Sequence, residues 1–271
     1  MRVFYRKPVF ATLNFSYQAC RSGLLISSKA RFASCDALSS LRNRKVTATS
    51  DLIIGIPKTP QVLQGVMKLF SKAKLHPMTP YPESLRVSFS RFSNGAFGGQ
   101  AVVLKPRRLA ILIARGKVDV GIIGQDILQE NAVADIVVLA DLTNTKLGLR
   151  ETRVGVIAAS RDVVYDASDI PEGSFVITEY ERLTRNYFMD MRKYVHTIPS
   201  PGGVEAEIPL FHRFGVAVVD SGNTLHRENL QLIGTITTSR PVLVTWKRVL
   251  ENPDKAKAIC KLAERLTSAV A

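Results

Sequence analysis

From residue 51 onward, short apolar runs alternate along the chain with segments in which apolar residues recur at helical spacing. The paired runs are LIIGIP with QVLQGVMKLFSKA, VDVGIIG with QDILQENA, SFVIT with EYERLTRNYFMDMRKY, and GVAVVD with NTLHRENL. Such alternation of strand and helix patterns predicts an α/β fold with mostly parallel sheets flanked by helices.

Two further patterns divide the predicted fold into two lobes. Segment 146–159 holds two extended runs, LGLRE and RVGVIAAS, without a helix between them, as expected where a chain crosses between lobes. Near the end, strand-like GTITTS and PVLVTW precede a helix from about 253 to 269, which we interpret as a return to the first lobe. The expected boundaries are 50–148 plus 232–271 for lobe I and 149–231 for lobe II, with a ligand cleft between them.

Residues 1–49 differ from the rest in charge and are excluded from the predicted fold. The first fifty residues hold nine of the 37 Lys and Arg residues but one of the 23 acids, and residues 1–35 hold no acid. This composition is typical of an organellar transit peptide, and a disordered basic tail or a misplaced start codon fits it equally. We expect a cytoplasmic protein or, through this extension, one of the mitochondrial or plastid matrix.

Composition excludes several classes of protein. No apolar run approaches the ~18 residues that a membrane-spanning helix needs, so we expect a soluble protein with no membrane contact. The three cysteines and four histidines show no metal-binding spacing, which argues against a protein-ligated metal. The basic charge suits polyanionic small molecules, and the lack of a basic stripe interleaved with aromatics argues against nucleic acid.

The run GVAVV leads into DSGNT and then into a helical segment. A strand that enters a glycine-containing turn at a helix start directs backbone N–H groups and the positive end of a helix dipole at one point, which suits a phosphate. Ser221 and Thr224 add hydroxyl donors, and Asp220 can accept hydrogen bonds from ribose hydroxyls. The other interpretation is a capped helix start with Ser221 or Asn223 as the N-cap.

This loop is one of six segments that occur in the order expected of the ATP phosphoribosyltransferase family, which the chain resembles over residues 51–246. In sequence order the segments are IGIPK at 54–58, a G-x-x-D-x-G-I-x-G-x-D block at 116–126, a T-x-Y-P-x-L-T-R-x-Y-F-like signature at 178–188, G-G-V-E at 202–205, [ED]-[ST]-G-x-T-L at 220–225, and SR with VLV at 239–244. One such match could arise by chance, but six in order hardly can.

The resemblance implies a two-lobed fold like that of type II periplasmic binding proteins. It also implies that ATP and 5-phosphoribosyl 1-pyrophosphate (PRPP) react in the cleft to give N1-(5-phosphoribosyl)-ATP and pyrophosphate, the first step of L-histidine biosynthesis. The chain departs from the family pattern in having Thr59 and Pro60 where glycine usually follows Lys58, a basic residue in place of Asp within 105–110, Glu181 in place of Pro, and Ala217 in place of Asp.

In the implied reaction, N1 of adenine attacks C1 of the ribose while pyrophosphate leaves, so no protein nucleophile is needed. Catalysis then rests on Mg²⁺ carried mainly by PRPP, on positioned cations and on alignment of the two reactants. The resemblance implies catalytic roles for Lys58, Arg185 and Glu205; PRPP binding by Asp220, Ser221, Gly222, Asn223, Thr224 and Leu225; and nucleotide binding by Lys58, Gly121, Gly124 and Tyr180.

Simpler interpretations remain open for two of these positions and for Asp126 of the 116–126 block. Lys58 suits an exposed turn, Arg185 suits a helix cap or an ion pair with an acid, and Asp126 suits the first turn of a helix better than a substrate contact.

The length of the chain bears on its partners, and two other functions remain possible for this architecture. The chain resembles the short form of the family, which implies a homo-oligomer working with a histidyl-tRNA-synthetase-like regulatory subunit. One alternative is a diverged, inactive paralogue that binds ligands or regulates, since Arg107, Arg108 and Ala217 fall at positions where the family pattern changes. The other is a solute-binding module of the same architecture.

Overall fold

The computed structural model describes residues 51–75, the backbone of 86–89, 98–220 and 222–271. The basic N-terminal segment and Ser221 lie outside these residues. The described chain forms two sheets, and it crosses between them at residues 142–151 and again at Arg240. No helix in the described part is both long and apolar enough to cross a bilayer.

Lobe I consists of a six-stranded sheet and the helices that cover it. Its elements are β1 (Asp51–Pro57), α1 (Pro60–Lys72), β2 (Arg86–Phe89), β3 (Gly98–Leu104), α2 (Pro106–Ala114), β4 (Val120–Gly124), α3 (Gln125–Asn131), β5 (Ile136–Asp141), β11 (Pro241–Trp246) and α7 (Pro253–Val270). The strand order is β2-β3-β1-β4-β11-β5. Strands β1, β3, β4 and β5 run in one direction, whereas β2 and β11 are reversed.

Lobe II is continuous in sequence and contains a five-stranded sheet. Its elements are β6 (Thr152–Ala159), β7 (Phe175–Thr178), α4 (Glu181–Asp190), β8 (His196–Pro199), α5 (Val204–Glu207), β9 (Phe214–Val219), α6 (Asn223–Arg227) and β10 (Leu230–Ser239). The strand order is β10-β6-β9-β7-β8, in which only β6 runs against the other four. Three 3₁₀ turns (Thr145–Leu147, Ala167–Asp169 and Lys247–Glu251) lie in the described connections.

The predicted two-lobed α/β class is confirmed, and most strands of each sheet share a direction. Reversed strands nevertheless make both sheets mixed. The run LGLRE is not a strand: it ends a 3₁₀ turn and makes an isolated bridge between Asn144 and Leu149. Residues 232–239, expected in lobe I, pair with β6 of lobe II, because the chain returns only after Ser239.

Three apolar clusters hold the fold. One packs α1 and α7 on a face of the first sheet, and another packs α5 and α6 against the second sheet. The remaining cluster is shared by the two lobes, since Ile113 and Ile127 of lobe I belong to it together with Val156 and Phe188 of lobe II. Burial of this shared apolar surface stabilises the lobes against each other on one side of the cleft.

Candidate active site

A cleft of about 680 Å³ lies between the two lobes, lined by both. The carboxyl ends of β1, β4, β7 and β9 contribute Pro57, Gly124, Glu179 and Val219 with their neighbours. In open α/β sheets, ligands bind outside the carboxyl ends of the strands, where the loops of neighbouring strands diverge. The carboxyl ends of strands from both sheets therefore border the same cleft.

On the lobe I side, two loops lie together because β1 and β3 are parallel neighbours. The backbone N–H of Lys58 donates to the carbonyl of Leu104 at 2.8 Å, so Lys58 lies beside Lys105. Pro106 begins α2, whose first turn contains no acid. This edge of lobe I thus combines exposed cations with a helix amino end, both favourable to anions.

On the lobe II side, the turn from β7 into α4 is fixed by two threonines. The Oγ1 of Thr178 accepts from the backbone N–H of Tyr180 at 2.8 Å, and the Oγ1 of Thr184 donates to the carbonyl of Tyr180 at 2.6 Å. The two hydroxyls lie 2.9 Å apart and both residues are buried. The threonines of the T-x-Y-x-x-L-T segment therefore shape the turn that carries Glu179 and Tyr180.

The Tyr180 side chain of lobe II forms a hydrogen bond with a residue of lobe I. Its hydroxyl donates to Oδ2 of Asp126 at 2.6 Å, and the hydroxyl of Ser239 donates to Oδ1 at 2.5 Å. Burial, and then the charge of Asp126, raises the pKa of Tyr180 far above its ordinary value, so this hydroxyl stays protonated as a donor. Asp126 is a buried acceptor in this arrangement, in agreement with its expected structural role at the start of α3.

Two carboxylates of lobe II, those of Glu179 and Glu205, line the cleft near each other. Burial raises the pKa of Glu179, the charge of nearby Glu205 raises it further, and Arg107 opposes the rise. The Arg107 guanidinium also lies over the Tyr180 ring, 5.7 Å from its centroid. Two like charges held close favour a cation or a positively charged reacting group between them.

The loop that carries Glu205 depends on glycine. Gly202 and Gly203 adopt φ values of 139° and 76°, which residues with a side chain rarely adopt, and Gly203 is the N-cap residue of α5. The buried Ser200 hydroxyl holds this loop, because it donates to the Gly202 carbonyl at 3.1 Å and accepts from the Gly202 N–H at 3.2 Å. The G-G-V-E segment thereby brings Glu205 to the cleft.

The predicted phosphate loop borders the same space, with Asp220, Gly222, Thr224 and Leu225 in its lining. Gly222 has a φ of 76° and occupies the N-cap position of α6 without a side-chain cap, so Asn223 is not the N-cap. Leu225 is buried in the lobe II core and anchors the short helix, whereas Thr224 is exposed. Ser221 lies outside the described residues.

Four predicted residues fall outside the cleft lining. Lys58 is exposed at the rim between two lining residues, Pro57 and Thr59. Gly121 lies under α2, where an added Cβ would be 2.5 Å from Cδ1 of Ile113. Asn223 is exposed, and Arg185 forms an ion pair with Glu181 one turn earlier on α4, as its simpler interpretation held.

Three cations that line the cleft were not among the predicted site residues: Lys105, Arg107 and Arg150. Lys105 directly follows β3, and this position indicates the cleft only once the strand order places β3 beside β1. In the described part of the chain, no group of three His, Cys, Asp or Glu side chains is arranged to hold a metal ion.

The fold and its cleft define a two-lobed α/β protein with a charged cleft between its lobes. A family model described as HisG, ATP phosphoribosyltransferase, matches residues 105–268. The chain therefore belongs to the ATP phosphoribosyltransferase (HisG) family.

Individual relatives agree with this placement. The chain is 29% identical to the ATP phosphoribosyltransferase of Trichlorobacter lovleyi over 170 residues, which are 62% of this chain and 57% of that protein. It is 26% identical to that of Chlorobaculum parvum over 219 residues, 81% of this chain and 71% of that protein. The chain thus spans little more than half of the length of the first of these relatives.

Solved structures support the fold. An ATP phosphoribosyl transferase (HisG:HisZ) complex from Thermotoga maritima matches with a TM-score of 0.64 at 20% identity, covering 81% of this chain and 98% of that one. The alkanesulfonate-binding protein SsuA of Xanthomonas axonopodis matches with a TM-score of 0.53 at 13% identity, covering 82% of this chain and 74% of that one. The predicted likeness to periplasmic binding proteins is confirmed at the level of the fold.

Proposed function

We propose that this chain transfers the phosphoribosyl group of PRPP to N1 of ATP and releases pyrophosphate, the opening step of L-histidine biosynthesis. The observation that carries the proposal is the division of charge across the cleft. Lobe I and the first crossing contribute the cations Lys105, Arg107 and Arg150, whereas lobe II contributes the carboxylates Glu179, Glu205 and Asp220. The lobe I carboxylate in the lining, that of Asp126, is held by the hydroxyls of Tyr180 and Ser239. Family membership supplies the reaction that this division suits.

The reaction separates charge in the same way. As the bond from C1 of the ribose to pyrophosphate breaks, negative charge grows on the leaving group and positive charge grows on the sugar. Fixed carboxylates near the sugar stabilise the transition state more than the ground state, and fixed cations hold the substrate phosphates in position. Because the incoming N1 is itself the nucleophile, the site needs no activated Ser, Cys or His.

Lobe II is the proposed PRPP side. The backbone of Gly222 and the Thr224 hydroxyl would bind the 5′-phosphate, and Ser221 and Asn223 belong to the same proposed loop. Asp220 would accept from the ribose hydroxyls. Glu205, which is half-buried near Glu179, would face the sugar carbon as positive charge develops there. Leu225 supports the loop by packing in the core.

We assign ATP to the side of the cleft that is formed by lobe I and by Tyr180 of lobe II. Lys105 and Arg107 line this side, and exposed Lys58 can reach in from the rim to the polyphosphates. Gly124 and the Tyr180 ring form the wall against which the base would lie. Arg185 and Gly121 have no direct part in this arrangement, since neither lines the cleft.

Magnesium is the proposed metal, carried mainly by the pyrophosphate group of PRPP. The described residues offer no cage of three metal-ligating side chains, but the paired Glu179 and Glu205 carboxylates suit a cation bound through the substrate. When bound, Mg²⁺ neutralises charge on the leaving pyrophosphate. The protein's part is to orient the substrates and exclude bulk water from the cleft.

The proposed assembly is a homo-oligomer joined by a histidyl-tRNA-synthetase-like regulatory subunit. The support is that the similar Thermotoga maritima chain belongs to a HisG:HisZ complex. Feedback control by histidine would then depend on the second subunit.

The test is formation of phosphoribosyl-ATP from ATP, PRPP and Mg²⁺, followed by absorbance, with the full chain alone and with a candidate regulatory subunit. Thr224→Ala should raise the KM for PRPP by about 10- to 100-fold, because a hydrogen bond to a charged group contributes about 1.5–3 kcal/mol. Ser268→Ala on α7 removes a similar hydroxyl far from the cleft and should leave the kinetics unchanged. Absence of product under every condition, with PRPP still raising Tm, would instead indicate an inactive ligand-binding paralogue.

A further inference from the structure

Helix α3 of lobe I meets the start of α4 of lobe II beside the cleft. The Glu130 carboxylate accepts from two backbone N–H groups of α4, that of Arg182 at 3.1 Å and that of Leu183 at 3.0 Å, each on a different oxygen. The first N–H groups of a helix have no partner within it. A residue of lobe I therefore caps a helix of lobe II.

The cap replaces one that α4 cannot make for itself. Its N-cap residue is Tyr180, which forms no side-chain cap, and Arg182 and Leu183 are the second and third residues of the helix. Those are the two positions that an N-cap oxygen normally satisfies. Because a tyrosine side chain at the N-cap is too long to accept from these N–H groups, Glu130 supplies the missing acceptor from the other lobe.

Asp126 and Glu130 act from the same face of α3, since they are four residues apart on one helix. Asp126 accepts from the Tyr180 hydroxyl, and Glu130 accepts from the backbone N–H groups of Arg182 and Leu183. Three hydrogen bonds thus attach Tyr180 and the first turn of α4 to lobe I. Glu179, which lines the cleft, is the residue immediately before this attached segment.

We propose that Glu130 is a positioning residue for phosphoribosyl transfer, which fixes the Glu179–Tyr180 turn of lobe II from lobe I and so sets the distance across the cleft. This inference rests on the proposed function. The transfer requires a sugar carbon bound on one lobe and a base bound on the other to meet in line. A misplacement of about 1 Å at such a site costs on the order of 100-fold in rate.

The experiment compares Glu130→Ala and Glu130→Gln with a matched control, Glu172→Ala. Glu172 also accepts a backbone N–H, that of Tyr194 at 2.9 Å, but it lies before β7, at the sheet edge opposite the cleft. The kcat, both KM values and Tm are measured for the full chain in the assay mixture of the proposed function. Hydrogen exchange at the Arg182 and Leu183 amides reports directly on loss of the cap.

Glu130→Ala should lower kcat at least tenfold and change each KM less than about threefold, because the groups that bind substrate remain while their alignment is lost. Glu130→Gln keeps one acceptor oxygen and should fall between Ala and wild type. Glu172→Ala should lower Tm by a similar amount while kcat stays within about twofold of wild type.

If the wild-type chain is active, either of two results would overturn the positioning role alone. One is an equal loss of kcat in Glu130→Ala and Glu172→Ala. The other is an unchanged rate of amide exchange at Arg182 and Leu183 in Glu130→Ala. A wild-type chain that makes no product with or without a regulatory subunit overturns the proposed function, and this role with it. The activity of the wild-type chain therefore separates the two failures.

Discussion

The Lys255 ammonium lies 2.6 Å from Oδ1 of Asp119, a carboxylate whose side chain is 3% exposed. The other oxygen of Asp119 accepts the backbone N–H of Ile53 at 2.8 Å. Asp119 precedes β4, Ile53 lies in β1 and Lys255 lies in the first turn of α7. One buried carboxylate therefore joins the beginning, middle and end of lobe I.

Removal of the Asp119 carboxylate should destabilise lobe I more than removal of the Lys255 ammonium. Asp119→Ala should lower the free energy of unfolding by about 3 kcal/mol, because the Lys255 and Ile53 donors lose their shared acceptor. Lys255→Met should cost about 1–2 kcal/mol, since the lysine is partly solvated. Urea unfolding measures both, with Lys257→Met on the same helix as the control for charge. Equal, small losses in all three variants would contradict a structural role for the pair.

The raised pKa of Glu179 predicts a stability that depends on pH. The folded chain binds this proton more tightly than the unfolded chain, so ionised Glu179 opposes folding at neutral pH, and the penalty disappears as pH falls below the ordinary pKa of 4.5. Glu179→Gln cannot ionise and should therefore raise Tm at pH 7 but hardly change it at pH 4.

Thermal unfolding at the two pH values checks this sign. The exposed Glu251→Gln changes the same charge outside the cleft and should give no gain at either pH. A lower Tm of Glu179→Gln at pH 7 would show that the Glu179 carboxylate stabilises the fold.

Gly121 and Gly124 should respond differently to alanine. A Cβ at Gly121 would lie 2.5 Å from Cδ1 of Ile113, whereas one at Gly124 would lie 2.2 Å from Oδ1 of Asp126. Both variants should lose about 1–3 kcal/mol of stability through overpacking. Only Gly124→Ala should also lower kcat/KM, by about tenfold, because moving Asp126 releases Tyr180. Paired urea unfolding and turnover measurements decide, and a similar kinetic loss in Gly121→Ala would refute the distinction.

The neighbours Arg107 and Arg108 offer a matched test of the ATP side. Arg107 lines the cleft and lies over the Tyr180 ring, while Arg108 is exposed and does not line the cleft. Arg107→Met should raise the KM for ATP about tenfold, because a charge-assisted contact with phosphate is lost. Arg108→Met should change it less than about twofold. Steady-state kinetics at constant ionic strength measure both, and the opposite ranking would move the polyphosphate site.

The sequence predicted those parts of the fold that depend on local pattern. Apolar runs located β1, β4 and β9, and the spacing of Ala256, Ile259 and Ala263 located α7 with its buried face. Residues 232–239 of strand β10 were assigned to the wrong lobe, because the polar TITTS run lies at a sheet edge and its partner β6 is set by tertiary pairing.

The candidate site was predictable only where a motif falls at the end of a strand. Thr224 and Glu205 reached the cleft in this way. Arg107 and Glu130 were missed because their roles exist only once α2 and α3 pack beside lobe II. Arg185 had a local explanation in its i, i+4 spacing to Glu181, and the structure contains that ion pair together with a hydrogen bond from Arg185 to Thr197.

The position of β11 has a consequence for synthesis on the ribosome. This strand lies between β4 and β5, yet it is made after the whole of lobe II. Until residues 241–246 emerge, the first sheet consists of separated pieces with open edges, whereas residues 152–239 already contain every strand of the second sheet. Lobe II can therefore fold while translation continues, and the lobe that begins first along the chain is completed last.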